Sequence, residues 1–89
     1  MTVSARIQGK LAALEPIALE IHDDSAKHTG HEGAKSGGGH YRVVIVSRRF
    51  AGLSIQLRHR MVYDALGSMM QKEIHALAIK AYAPEEVHR

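Results

Sequence analysis

Val3, Ile7, Leu11 and Leu14 are spaced four, four and three residues apart, which puts them on one face of a helix. Thr2 or Ser4 can cap its start. Pro16 disfavours helical geometry at Glu15, so the helix is predicted to stop there. Ile17, Leu19 and Ile21 then alternate with Ala18, Glu20 and His22, the pattern of a strand with one buried face. From Asp24 to Gly39 the periodicity disappears into a polar, glycine-rich stretch that also holds His28 and His31. At about 16 residues it is long for a loop in a small domain, and such loops are usually functional or disordered. This segment, 24–39, is predicted to be a flexible glycine- and histidine-rich loop.

Tyr41 to Val46 is β-branched and apolar on both faces, with Arg42 its only charge, which suits a central strand. Ser47 to Gly52 turns the chain. Ser54 is a plausible N-cap for a long helix in which Met61, Val62, Leu66 and Met69 or Met70 supply the apolar stripe. Gly67 marks a kink or a break into two helices. Ile74 to Tyr82 alternates again, with His75, Leu77, Ile79 and Ala81 on one face against Ile74, Ala76, Ala78, Lys80 and Tyr82. It is read as the last strand. Pro84 suits the first position of a short helical tail.

The order is helix, strand, strand, one or two helices, strand, short helix. The first two strands form a long-looped hairpin, and the last joins the second through a right-handed helical crossover, hence in parallel. The predicted class is α+β: a three-stranded mixed sheet with helices on one face, in a single domain spanning 1–89.

Composition adds three constraints. With no cysteine among 89 residues there is no disulfide, and any metal held by this chain alone takes His, Asp or Glu. A formal charge of +3 permits contact with nucleic acid or an acidic partner without requiring either. Seven histidines are a high density for this length: His22, His28, His31, His40, His59, His75 and His88. No apolar run approaches the ~20 residues of a membrane span, so no membrane partner is expected. Met1 to Leu14 lacks the apolar stretch of a signal peptide, which makes the cytoplasm the default location. No Ser sits in an activating turn with a base and an orienter, and the paired carboxylates, Asp23-Asp24 and Glu85-Glu86, are sequence neighbours. An enzyme is therefore not expected.

The densest chemistry lies between Arg48 and Tyr63. Gly52 lets the backbone turn tightly before a helix whose free N–H groups can receive an anion. Arg48, Arg49, Arg58 and Arg60 surround that point. Together with Gly52 and Ser54 they form a candidate phosphate-contacting edge on nucleic acid. The same residues also suit a plain turn and cap with solvated or paired arginines. His59, between two arginines, is expected to be structural, holding the helix against the turn by hydrogen bonds.

Phe50-x-Gly52-x-Ser54-x-x-x-Arg58-His59-Arg60-x-Val62-Tyr63 resembles the signature of BolA proteins, as does Ile74-His75-Ala76-Leu77-Ala78-Ile79. Leu19-x-Ile21-x-Asp23-Asp24-Ser25 and His40-Tyr41-Arg42-Val43 match too, although the family more often has Glu where this chain has Asp24. The resemblance runs from roughly Ile7 to Glu86, with several blocks in the right order. It implies a class II KH-like fold. In KH domains a GxxG loop clamps a nucleic-acid backbone, whereas the turn here has Gly52 alone.

The resemblance also implies a partner. BolA proteins form heterodimers with monothiol glutaredoxins and share a two-iron, two-sulfur cluster with them, the glutaredoxin side bringing its cysteine and a glutathione thiolate. The BolA side brings the histidine at the start of the last strand, here His75, and a ligand from the first loop. That loop ligand aligns best with His31, and His28 lies close enough to substitute. No cofactor is expected in the isolated chain. Neutral imidazole is a good ligand for iron, and with an unperturbed pKa of about 6.5 histidine is mostly neutral at pH 7. Two imidazoles on one iron raise a cluster's potential above that of an all-thiolate site. The family also implies a second function: transcriptional regulation in stress and cell morphology, with DNA as the partner.

Overall fold

Thr2 opens the first helix: its side-chain oxygen accepts a hydrogen bond from the Ala5 N–H at 3.0 Å. The computed structural model describes residues 2–25 and 39–87. Helix α1 covers Val3–Leu11, and a 3₁₀ turn extends it through Ala12–Leu14. Ile7, Leu11 and Leu14 are buried, as their spacing predicts. The helix ends where Glu15, ahead of Pro16, takes a left-handed conformation (φ 54°).

Strand β1 (Ala18–Asp23) pairs antiparallel with β2 (Gly39–Val46), and β2 pairs parallel with β3 (Ile74–Tyr82), so β2 is central. This is the predicted mixed sheet, with the helical crossover between β2 and β3. Tyr41, Val43 and Ile45 from β2 enter the core with Ile7, Leu11, Phe50, Val62, Leu66 and Met69. The opposite sheet face carries Glu20, His22, Arg42, Ala76, Ala78 and Lys80, all exposed.

After β2, Ser47 is fully buried; its hydroxyl donates to the Leu14 carbonyl at 2.6 Å and accepts from the Arg49 N–H. A 3₁₀ turn (Arg48–Phe50) follows, and then Ala51 (φ −60°, ψ 130°) and Gly52 (φ 77°) form a turn closed by Leu53 N–H to the Phe50 carbonyl. Those angles are type II, which calls for glycine at the second central position. Ser54 caps helix α2 (Ile55–Leu66), its oxygen accepting from the Leu57 N–H. Gly67 (φ 57°) breaks the helix as expected, and a 3₁₀ segment (Gly67–Gln71) leads into β3. The tail forms a single 3₁₀ turn, Pro84–Glu86.

One assignment needs correction. Strict alternation put His75 on the same face as Leu77, Ile79 and Ala81. In the structure Ile74 is buried and His75 is exposed. The register explains it: Gly39 faces Ile74 but His40 faces Ala76, so β3 carries one extra residue there. The irregularity switches the phase of the strand, putting Ile74 into the core and freeing His75.

Candidate functional site

His75 sits at this irregularity, and the His40 ring lies beside it. Their ring centroids are 5.3 Å apart with the planes tilted by 40°. Three hydrogen bonds set the position of His40. Its N–H donates to the Ser25 hydroxyl at 3.1 Å, its carbonyl accepts from Asp24 N–H at 2.7 Å, and the neighbouring Gly39 N–H donates to the Glu73 carbonyl at 2.8 Å. Gly39 allows this closeness: a Cβ there would stand 2.6 Å from both the Ser25 hydroxyl and the Tyr41 ring. The Tyr41 ring is buried under the site, and its hydroxyl pKa is raised by desolvation and by the nearby Asp23 carboxylate.

Around the pair, Asp24 binds Arg42 through two hydrogen bonds. A shallow depression of about 350 Å³ on the open sheet face is lined by Asp24, His40, Arg42, Ala76 and Ala78. Among the described residues, no three His, Cys, Asp or Glu side chains come together as a metal cage. His75 and His40 thus bring two imidazole rings together at the edge of the sheet. His28 and His31 fall in 26–38, outside the described residues. The chain re-enters the described structure at Gly39, immediately before His40.

The basic turn divides differently from the sequence expectation. Arg48 and Arg60 are exposed, and Arg49 is an exposed partner of Glu15 at 3.0 Å. Gly52 and Ser54 shape the turn and cap the helix. Arg58 does not belong to a nucleic-acid edge: it is 6% exposed. Its guanidinium donates to the carbonyls of Leu53 (2.9 Å) and Ala81 (3.0 Å) and to both oxygens of Glu86 (2.6 and 2.8 Å). Glu86 also accepts from the Ala83 N–H. The Arg58 bonds, and then the Ala83 bond, hold the Glu86 pKa down at about 2. The bracing expected of His59 is therefore supplied by Arg58; among the described residues no side-chain hydrogen bond involves the half-buried His59.

Sequence reading missed His40 as part of the site and Glu86 as the anchor of the tail. His40 follows three glycines and opens a strand, so it reads as a loop end until the strand register is known. An Arg58–Glu86 bond across 28 residues leaves no periodic trace.

The α-β-β-α-β order on a three-stranded mixed sheet, with an exposed histidine at the head of the last strand, defines a class of small α+β domains. Residues 11–86 match the family described as BolA-like protein. The chain is 40% identical over 87 residues to the DNA-binding transcriptional regulator BolA of Escherichia coli (strain K12), covering 97% of this chain and 80% of that protein. It is 41% identical over 85 residues to BolA-like protein 1 of Mus musculus, covering 94% of this chain and 60% of that longer protein. The solved structure of BolA1 from Arabidopsis thaliana superposes with a TM-score of 0.84 at 37% identity, covering 99% of this chain and 98% of the other. The chain belongs to the BolA family. Among the described residues, no helix is long and apolar enough to cross a membrane.

Proposed function

We propose that this chain is a non-enzymatic, cytoplasmic partner of a monothiol glutaredoxin that co-ligates a two-iron, two-sulfur cluster, in iron–sulfur trafficking or in iron and stress regulation. The observation that carries this reading is the exposed His75 ring at the β3 irregularity, facing the end of the hairpin that bears His28 and His31. The donor chemistry fits: imidazole suits iron, and a chain without cysteine leaves thiolate ligation to the glutaredoxin and glutathione. The cluster would supply redox and iron–sulfur transfer chemistry. This chain's contribution is to hold His75 at a rigid strand end and offer His31, or His28, from the loop. Mixing the chain with a monothiol glutaredoxin, glutathione, iron and sulfide should give a coloured heterodimer. A visible spectrum and complex lifetime unchanged by His75→Ala would refute the ligation.

A second reading, a DNA-binding regulator of stress response and morphology, is favoured by the three exposed arginines, Arg48, Arg49 and Arg60, around the Gly52 turn. The name of the Escherichia coli relative points the same way. Phosphate contact by these arginines makes affinity fall steeply with salt, and each arginine removed should lower the slope by roughly one. Fluorescence anisotropy with duplex DNA at low salt tests it. An absence of binding, or a slope indifferent to Arg48→Ala, Arg49→Ala and Arg60→Ala together, removes the reading.

A further inference from the structure

We propose that His40 and His75 form a two-imidazole site for a single divalent transition-metal ion of the copper–zinc type, assembled by the folded chain without its loop histidines. It builds on the reading of His75 as an exposed ligand, but needs neither cluster nor glutaredoxin.

The ring separation is the one that two imidazole ligands on one centre would show. An ion bound ~2.05 Å from one nitrogen of each ring lies about 3.2 Å from each ring centroid, and a near-tetrahedral angle then sets the centroids roughly 5.2 Å apart. The observed separation is 5.3 Å. The 40° tilt is neither the parallel offset of a stacked pair nor an edge-to-face contact.

The placement is held by the backbone and is not a chance meeting of long side chains. His75 is the unpaired residue of the register irregularity, between the partners of Gly39 and His40, and the Ser25 hydroxyl, the Asp24 N–H and the Gly39–Glu73 bond fix the strand around His40. His75 is exposed, so an ion can reach the pair from solvent. Two imidazoles without a thiolate suit copper(II), zinc or nickel rather than soft copper(I) or hard magnesium and calcium. With no third protein donor among the described residues, further coordination positions are left to water or an external ligand, as in open rather than structural zinc sites. An ion bound there would occupy His75 and block its use toward another metal centre.

Copper(II) is the probe, because it binds nitrogen sites most tightly of these ions and its paramagnetic resonance spectrum counts coordinated nitrogens. The full chain is titrated at neutral pH. The expected result is one equivalent bound with a two-imidazole nitrogen pattern. His75→Ala and His40→Gln should each weaken binding at least about tenfold, since even indirect supports of a ligand are worth that much. The double variant His28→Ala/His31→Ala should stay within about twofold of the parent. Circular dichroism and thermal melting establish that each variant is folded. His40→Ala, or His40→Asn, replaces His40→Gln if that chain does not fold. Binding that survives replacement of His40 in a folded variant, or that disappears with the loop pair alone, overturns the proposal. Cluster assembly with glutaredoxin is measured on the same variants. If copper binding is indifferent to His40 while assembly still requires His75, this inference fails and the cluster reading stands.

Discussion

Replacing Gly39 by alanine tests how tightly the fold holds the histidine pair. The added Cβ would stand 2.6 Å from the Ser25 hydroxyl oxygen, 2.6 Å from one Tyr41 ring carbon and 2.9 Å from the next. Ordinary carbon contacts lie near 3.5–4.0 Å, so the overlap is about 1 Å. Neither neighbour retreats freely. The Tyr41 ring is 7% exposed within the core, and the Ser25 oxygen is the acceptor for His40 N–H. The Gly39 backbone is itself bonded to Glu73. Overpacking of this kind costs about 1–3 kcal/mol, and losing the Ser25 bond adds about 1 kcal/mol. At 4–8 °C per kcal/mol for a domain of this size, Tm should fall by roughly 8–32 °C. Gly9→Ala is the control. Its added Cβ meets nothing within 4 Å, and it lies inside α1 in ordinary helical conformation, so it should gain roughly 0.5–1 kcal/mol. Thermal unfolding by circular dichroism gives the energies, and imidazole ¹⁵N shifts report His40 and His75. A Gly39→Ala chain that melts within about 2 °C of the parent, with both histidine signals unmoved, refutes the account of how the site is built.

Other outcomes follow from the same structure. Gly52→Ala meets no atom within 4 Å but must adopt φ 77°, so urea unfolding should show a loss of about 1–2 kcal/mol from backbone strain alone. Arg58→Met strands the Leu53 and Ala81 carbonyls and Glu86, and should lower Tm far more than Arg60→Met on the exposed face. Glu86 has its pKa lowered to about 2 in the fold. Its stabilisation is therefore fully present above the unfolded value near 4.3 and is lost as the pH falls from there toward 2. Glu86→Gln should flatten that part of the stability–pH curve, and an acid limb identical to the parent's would contradict the assignment. His75→Ala removes an exposed ring and should leave Tm within about 2 °C of the parent, so any lost activity reports ligation rather than unfolding.

Much of this fold is legible in the sequence because each signal is local. The Val3–Ile7–Leu11 spacing marks α1, Thr2 and Ser54 cap the two helices, and Gly52 and Gly67 stand where positive φ is needed. The site is less legible because it depends on register. One extra residue at the head of β3 reverses which of Ile74 and His75 faces the core, and strict alternation cannot reveal it. The same irregularity makes His40 the neighbour of His75. Arg58 illustrates the other limit. An arginine among arginines reads as a surface cation, and only the return of the chain 28 residues later, bringing Glu86, turns it into a buried clamp. His28 and His31 lie outside the described residues, so their part in the ligand set rests on the sequence resemblance and on the direction from which the chain enters β2.

The most direct test of ligation is pulsed paramagnetic resonance on the reduced cluster complex, assembled from this chain labelled with ¹⁵N-histidine and an unlabelled glutaredoxin. The account requires strong coupling from directly bound ¹⁵N nuclei, two in number, one of which vanishes in the His75→Ala complex. A cluster showing no ¹⁵N coupling, or one whose couplings persist without His75, would mean that another set of ligands holds the iron.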